Sequence, residues 1–311
     1  MPWWNQSFKE QVTLNGKNYM AAGDISQTML RGTYVTIMNK AVLDEYYNGY
    51  DVYDTVRSGG WTFDEFLRLA DMYHDVNGDG KADENDIYGV IRDRIGIVND
   101  ALIGSFDIPL VTNDGSGLKV VFNSEKTIAA VQMLADMAKN GELSGYNSGD
   151  IPMTDGFGTG RYIFLLEGPW KTAELAGAYP DMAYGNCQLP AGEAGSISVL
   201  GGEDIAMFNG SHKDAAWKFM QFMTSPFAEE EMAKCGQIPV NKTALESETV
   251  KNASFAPFLE AITTAKARPA VASWSEIDNE LTTAMTKILV NGADVKETLD
   301  ALAVTIDGLL A

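Results

Sequence analysis

The most constraining feature of the chain is a short apolar run that stops at a sharp turn. Residues 162–166 read Tyr-Ile-Phe-Leu-Leu, and Gly168, Pro169 and Trp170 follow almost at once. The run is far shorter than the roughly 20 apolar residues of a membrane-spanning helix, but it suits a buried strand. Glycine and proline then interrupt the chain, and a helical pattern resumes to about Ala176. The run therefore predicts a strand–turn–helix unit, with Trp170 placed where the strand ends.

Amphipathic helices alternate with short strands along the rest of the chain. Residues 34–38 are rich in β-favouring side chains and predict a buried strand. Thr62 and Glu65 have the spacing of a capping box, which predicts the start of a helix. Two helices near the end carry apolar residues at helical spacing, namely Ile277, Leu281, Met285 and Ile288, then Leu299, Leu302, Ile306 and Leu309. This alternation predicts an α/β fold.

The charge balance restricts the partners that the chain can bind. Asp and Glu number 43 against 23 Lys and Arg, which gives a net charge of −20. Such a chain repels nucleic acids and anionic lipid surfaces, and the sequence has no basic stripe. We therefore expect no nucleic-acid partner and a ligand that is neutral or cationic.

Residues typical of catalysis are scarce. The histidines, His74 and His212, both fall at polar helix edges, where solvated side chains are expected. Residues 156–160 are glycine-rich but match neither dinucleotide-binding nor P-loop spacing. Cys187 and Cys235 either form a pair or behave as two buried apolar thiols. Spacing alone does not reveal a glycosidase pair of carboxylates, so that alternative stays open.

One loop has the oxygen pattern of a calcium site. Gly80 occupies the position of the sharp turn, and a predicted helix, 63–74, enters the loop. The candidate ligands, with Lys81 acting through its backbone carbonyl, are Asp75, Asn77, Asp79, Lys81, Asp83 and Asp86. Asp86 stands where a longer Glu usually provides bidentate ligation, and a strand pattern follows it. The loop is therefore either a structural calcium site or an ordinary polar turn.

Some of the tryptophans are placed where a sugar could stack on them. Aromatic rings pack against the apolar C–H faces of sugars, although most tryptophans in proteins belong to the core. Trp217 lies beside the apolar face of a helix, so we expect it in the core. Trp61 directly precedes the Thr62 cap, so we expect it to pack beneath that helix. Trp170 follows a strand end and Trp274 lies between a proline break and a helix. Because ligands of open α/β sheets bind at strand ends, these two are candidate sugar platforms.

The segment 157–170, which reads Phe-Gly-Thr-Gly-Arg-Tyr-Ile-Phe-Leu-Leu-Glu-Gly-Pro-Trp, resembles the "F..G..AM…G.W" segment of family 1 extracellular solute-binding proteins. Weaker motifs of that family occur in the same order along nearly the whole chain, at 14–19, 37–40, 60–65, 211–223, 236–240 and 268–289. The chain is therefore identified as a member of this group, to which maltose-binding-like proteins belong.

The resemblance implies an α/β, two-lobed periplasmic-binding-protein-like fold of type II around a cleft. Residues 1–36 and 198–236 would form the first lobe, and residues 37–197 and 237–311 the second. Members of the family begin with a secretion signal and the first elements of lobe one, whereas this sequence starts Met-Pro-Trp-Trp. We therefore expect an N-terminally truncated chain whose first lobe is incomplete.

The resemblance also implies a site and a function. The ligand-binding residues would be Trp170, Trp274, Asp24, Tyr34, Glu203 and Arg268. The protein would be no enzyme but the sugar-capturing component of an ABC importer, delivering a mono- or oligosaccharide to the transmembrane subunits of a permease. We expect a monomer outside the cytoplasm, as a cell-surface lipoprotein or in the periplasm, without a cofactor beyond structural calcium. The alternatives are a calcium-dependent carbohydrate-active enzyme and a fragment that binds nothing.

Overall fold

The computed structural model describes most of the chain in separate stretches. These are residues 13–14, 16–18, 32–71, 73–81, 85–92, 111–113, 118–139, 153–168, 170–193, 195–196, 198–201, 207, 210–223, 225–234, 243, 246–248, 266–267, 271 and 273–310.

Helices and strands alternate through the described chain, as the sequence predicts. The helices are α1 (Lys40–Tyr46), α2 (Val52–Arg57), α3 (Phe63–Ala70), α4 (Glu125–Lys139), α5 (Met153–Gly158), α6 (Trp170–Ala178), α7 (Lys213–Met223), α8 (Pro226–Lys234), α9 (Trp274–Leu289) and α10 (Val295–Leu310). The strands are β1 (Thr13–Leu14), β2 (Lys17–Asn18), β3 (Gly32–Thr33), β4 (Val35–Asn39), β5 (Tyr73–His74), β6 (Ile87–Arg92), β7 (Val111–Asn113), β8 (Leu118–Val120), β9 (Tyr162–Glu167), β10 (Tyr184–Cys187), β11 (Val199–Gly201) and β12 (Lys266–Ala267). The predicted α/β fold class is confirmed.

A five-stranded mixed sheet is the centre of the fold. Its strand order is β10-β4-β9-β6-β5. Strand β9 runs parallel to β6 and antiparallel to β4, so it is paired along both edges. Every residue of β9 is at most 2% exposed, and all of β4 is buried too. Strands paired on both sides and covered on both faces need continuous apolar sequence, which explains the run at 162–166.

The main core lies on one face of this sheet. The register places Met38 of β4 and Val90 of β6 beside Phe164 of β9. Phe66 of α3 packs on Phe164 with ring centroids 5.3 Å apart, and Trp61 packs on the same ring at 5.8 Å. The Trp61 indole also donates a hydrogen bond of 2.9 Å from Nε1 to the Gln188 carbonyl. The predicted place of Trp61 beneath its helix is therefore confirmed.

Helix α3 is shorter than the sequence pattern indicates. Its start is confirmed, because the Thr62 side chain accepts a hydrogen bond from the Glu65 amide at 3.3 Å. The helix ends at Ala70, and a Cβ added to Gly89 of β6 would lie 1.7 Å from the Ala70 carbonyl oxygen. Strand β6 thus passes directly against the end of the helix. The helix predicted over 63–74 is wrong at its end, where the chain turns into β5.

A second, three-stranded sheet has the order β12-β11-β3. Tyr34 alone separates β3, in this sheet, from β4, in the five-stranded sheet. Strand β3, from residues 1–36, thus pairs with β11, from residues 198–236, and both segments are assigned to the first lobe. Strand β12 pairs with β11 too, although its residues fall in a segment assigned to the second lobe. The predicted lobe boundaries stay a prediction.

The helices near the end of the chain bury the predicted residues. Ile277, Leu281, Met285 and Ile288 of α9 are at most 2% exposed. On α10, Leu299, Leu302 and Ile306 are buried, and Leu309 is half-buried. Within the described chain, none of the helices combines the length and the apolar character that crossing a bilayer requires.

Helix α7 forms where it is predicted but does not enter the core. In the described structure none of its residues is buried. Trp217 is 49% exposed, Phe219 57% and Phe222 54%. The core position predicted for Trp217 is therefore wrong. Apolar spacing identifies the face that a helix can bury, but it does not show whether a partner covers that face.

Replacing Phe66 by alanine is expected to lower the free energy of unfolding by about 3–5 kcal/mol, because the ring is fully buried against Trp61 and Phe164. Urea unfolding followed by circular dichroism measures this. The matched control is Phe219→Ala on α7, which removes the same ring from an exposed position and should change the value by less than about 0.5 kcal/mol. Equal losses in the two variants would contradict the placement of the core.

Candidate functional site

Two aromatic residues meet at one edge of the five-stranded sheet. The register pairs Val35, the first residue of β4, with Glu167, the last residue of β9. Tyr34 directly precedes the first of these strands, and Trp170 begins the helix after the second. The carboxyl ends of the parallel strands β6 and β9 reach this same edge, because Arg92 pairs with Leu166. This is the edge at which open α/β sheets bind ligands.

Tyr34 and Trp170 are in direct contact. Their ring centroids lie 5.7 Å apart and their planes are inclined by 72°, the edge-to-face arrangement that aromatic pairs favour. Both side chains are partly exposed. The structure thus brings two of the six predicted ligand-binding residues together and leaves aromatic surface accessible to solvent.

Trp274 has a different environment. It is the first residue of α9, its amide donates a hydrogen bond to the Val271 carbonyl at 3.2 Å, and its partly buried side chain packs against the main core. Its role as a second sugar platform stays a prediction. The other predicted ligand contacts, Asp24, Glu203 and Arg268, lie outside the described residues.

Polar side chains that the sequence pattern did not identify are buried close to this edge. Glu167, at the end of β9, is 1% exposed, and Asn186 of β10 is fully buried. Buried carboxylates are rare outside functional or strongly hydrogen-bonded positions. A glutamate that ends an apolar strand three residues before Trp170 is the sequence signal that identifies this position.

The described residues offer little for catalysis. His74 and His212 are exposed, as predicted. Cys187 is a free, buried cysteine, and burial raises the pKa of its thiol, which keeps it protonated and unreactive. The predicted pair of Cys187 with Cys235 is therefore not formed, and Cys235 itself lies outside the described residues.

The predicted calcium loop, residues 75–86, joins β5 to β6 in a hairpin. Its carboxylates and amide oxygens accept hydrogen bonds from the loop's own backbone. Asp75 accepts from the amides of Gly78 at 2.7 Å and Gly80 at 2.8 Å, and Asn77 accepts from the Asp79 amide at 3.0 Å. Lys81 is exposed, and Asp83 lies outside the described residues. The element that enters the loop is β5, not the predicted helix.

Asp86 anchors this loop to the fold. It is fully buried and accepts hydrogen bonds from the Tyr73 hydroxyl at 3.0 Å and the Val76 amide at 3.2 Å. No cluster of three or more His, Cys, Asp or Glu side chains suited to a metal occurs among the residues that the structure describes. Strand β6 starts directly after Asp86 and ends at the Trp170 edge, so the loop lies at the far end of the sheet, about 15–20 Å away.

Comparison with known proteins identifies relatives of a large part of the chain. A family model described as bacterial extracellular solute-binding protein matches residues 4–257. A binding protein of Brucella abortus (strain 2308) is 26% identical over 214 residues, which cover 66% of this chain and 51% of that protein. The chain therefore spans about half the length of this relative. The sn-glycerol-3-phosphate-binding periplasmic protein UgpB of Yersinia enterocolitica is 27% identical over 141 residues, 43% of this chain and 32% of that protein.

Solved structures share the fold at low sequence identity. The sugar-binding protein MalE of Xanthomonas citri superimposes with a TM-score of 0.75 at 17% identity, covering 99% of this chain and 75% of that one. Maltose-bound MalE3 of T. maritima gives a TM-score of 0.74 at 20% identity, covering 99% and 77%. The predicted two-lobed fold of the periplasmic-binding-protein type is confirmed by these matches.

Partial burial and the hydrogen bond to Asp86 raise the pKa of Tyr73 from its ordinary value of 10.0 to about 12. The shift is upward, so the stability that this bond contributes is fully present below pH 10 and is lost as the pH rises through about 12. At pH 10 the native protein and a Tyr73→Phe variant should therefore give the same ultraviolet absorbance from tyrosinate. If the variant instead absorbs less than the native protein by the equivalent of half a tyrosinate, then Tyr73 titrates at its ordinary pKa of 10.0.

Proposed function

Since the chain belongs to the family of bacterial extracellular solute-binding proteins, as its motifs predict, we propose that it is the sugar-capturing component of an ABC importer. The observation that carries this proposal is the Tyr34–Trp170 pair at the edge of the five-stranded sheet. The family is one of binding proteins, which agrees with the expectation that the chain is not an enzyme.

Stacking is the physical basis of the proposed site. A pyranose ring presents apolar C–H groups on its faces, and an indole is the largest flat apolar surface that a side chain offers. Trp170 is held at a sheet edge and remains partly exposed, so it can accept such a face. Hydroxyl groups of the sugar would be bonded by the predicted polar contacts, Asp24, Glu203 and Arg268.

The ligand class is supported by the charge of the chain and by related structures. A net charge of −20 repels polyanionic ligands and does not repel uncharged sugars. The solved neighbours include proteins bound to maltose and to maltotriose. One relative binds sn-glycerol 3-phosphate, an anion, so this compound is the appropriate competing ligand in a binding test.

Closure around the sugar would complete the mechanism. Tyr34 joins the two sheets and contacts Trp170, so the proposed platform lies beside a crossing between them. We expect the lobes to close over the bound sugar and to present it to the transmembrane subunits of a permease.

The family's description as extracellular supports an extracytoplasmic location. A monomeric state and a lipoprotein anchor remain proposals.

The family match favours binding over the enzyme alternative, because the matched family is one of binding proteins. The acidic loop at 75–86 is at the opposite end of the sheet, and the described histidines are exposed on the surface. The remaining alternative, a fragment that binds nothing, is decided by the first test below.

Malto-oligosaccharides are expected to raise the thermal unfolding midpoint of the chain, because a ligand that binds only the folded state stabilises it. Trp170→Ala should abolish this rise and leave the midpoint without sugar nearly unchanged, since the indole is partly exposed. Differential scanning fluorimetry with maltose, maltotriose and sn-glycerol 3-phosphate measures both effects.

The matched control for this test is Trp217→Ala, which removes an exposed indole from α7 and should keep the full response to sugar. An unfolding midpoint that rises with sn-glycerol 3-phosphate but with neither sugar would show that the ligand is a polyol phosphate and not a sugar. The absence of any rise in the native chain would favour the fragment that binds nothing. Unfolding of Trp170→Ala without sugar would assign Trp170 to the core.

We also propose that the loop 75–86 holds a structural calcium ion. Support comes from oxygen-bearing side chains at alternate positions and from the glycines that shape its turn, Gly78 and Gly80, both with positive φ. Asp86 already fastens the end of the loop to Tyr73 and Val76. The ion would clamp a surface hairpin far from the sugar edge.

Calcium should therefore raise the thermal unfolding midpoint by about 2–6 °C over the value in chelator, and Asp75→Asn should remove this difference. The control is Asp181→Asn, which changes an exposed aspartate in the turn after α6. Sugar affinity should be the same with calcium and with chelator. An unfolding midpoint that does not respond to calcium would identify the loop as an ordinary polar turn.

A further inference from the structure

The ring of Trp170 lies against the backbone of Gly168. A Cβ added to Gly168 would be 1.7 Å from Cζ3 of the indole and 2.1 Å from both Cε3 and Cη2. The short, equal distances to both neighbours of Cζ3 place this Cβ over the face of the ring rather than beyond its rim. No side chain fits there, so the ring can occupy this position only because residue 168 is a glycine.

A local turn returns the indole to this position. The Lys171 amide donates a hydrogen bond to the Gly168 carbonyl at 3.1 Å, which closes a four-residue turn. Proline at position 169 stands where such turns favour it. Trp170 is therefore the third residue of the turn and the first residue of α6.

Tyr34 holds the indole from another direction. Its ring packs edge-to-face on Trp170 with centroids 5.7 Å apart. The backbone of Tyr34 is itself fixed, because its carbonyl accepts a hydrogen bond of 2.8 Å from the hydroxyl of Ser198, which is 2% exposed. Strands in different sheets flank Tyr34 on both sides. The ring that contacts Trp170 thus belongs to the segment that joins the sheets.

We propose that Gly168 and Tyr34 are positioning residues that fix the indole of Trp170 before a ligand arrives. Gly168 carries one face of the ring and Tyr34 braces it, which leaves the remaining exposed surface of the indole for a pyranose. Both residues act through Trp170. The inference rests on the proposed function for its ligand, but the position of the ring does not depend on a ligand. A fixed platform strengthens binding because less freedom is lost when the sugar stacks.

Fluorine NMR of the full chain labelled with fluorotryptophan tests the positioning without any sugar. The resonance of Trp170 is the one that disappears in Trp170→Phe. Gly168→Ala and Tyr34→Leu should each shift or broaden this resonance and leave those of the other five tryptophans in place. Two controls should keep the native resonance. Tyr34→Phe retains the bracing ring, and Gly177→Ala adds a methyl group on α6 where nothing lies within 4 Å.

Calorimetric titration with maltotriose then measures the consequence for binding. Gly168→Ala and Tyr34→Leu should weaken binding by about ten-fold or more, and Gly177→Ala, whose added methyl group meets nothing within 4 Å, should bind as the native chain does. A failure of Gly168→Ala to fold would change all six tryptophan resonances. In that case Tyr34→Leu alone tests whether the Trp170 indole is held in position. A native Trp170 resonance in Tyr34→Leu or in folded Gly168→Ala would overturn the inference, as would a shift in Tyr34→Phe as large as in Tyr34→Leu.

The two proposals fail in different ways. A native chain that binds neither maltotriose nor another saccharide would refute the proposed function. The fluorine resonances of the sugar-free variants would still decide whether Gly168 and Tyr34 position the ring.

Discussion

The burial of β9 between β4 and β6 is the constraint on which the rest of the structure depends. Each residue from Tyr162 to Glu167 is at most 2% exposed, and the strand is apolar up to Leu166 and paired along both edges. Its register with β4 brings Glu167 beside Val35. Residues just outside these two positions, Trp170 and Tyr34, consequently meet at one edge. The site is thus a product of strand pairing and not of local sequence alone.

Features that depend on local sequence could be predicted well. The buried strand after Tyr34, the Thr62 cap and the apolar faces of α9 and α10 all follow from short-range spacing. Features that depend on a distant partner could not. Helix α3 ends at Ala70, where β6 passes against it, and Trp217 is exposed because nothing in the described chain buries α7.

The candidate site shows the same division. Placement after a strand end identified Trp170, and the family motifs indicated Tyr34, but neither revealed that the two rings touch. That contact follows from the register of β4 and β9, which local sequence patterns do not determine. The reason for Gly168 was also hidden, because a glycine before proline predicts a turn and not a seat for an aromatic ring. Three predicted polar contacts, Asp24, Glu203 and Arg268, lie outside the described residues.

The two polar regions of the five-stranded sheet occupy its opposite ends. Tyr34, Glu167 and Trp170 lie at one end, and the loop anchored by Asp86 lies at the other. A metal at the loop would therefore affect stability without touching the sugar, which separates the two roles experimentally. This arrangement agrees with a binding protein in which one sheet edge faces the ligand and the far end only supports the fold.

A crystal structure of the chain grown with maltotriose would show whether the Trp170 indole holds the sugar. We expect a glucose ring in van der Waals contact with the indole, parallel to its exposed surface, with Gly168 and Tyr34 still packed against that indole. A saccharide bound elsewhere on the chain, with no contact to the Trp170 indole, would rule out Trp170 as the sugar platform.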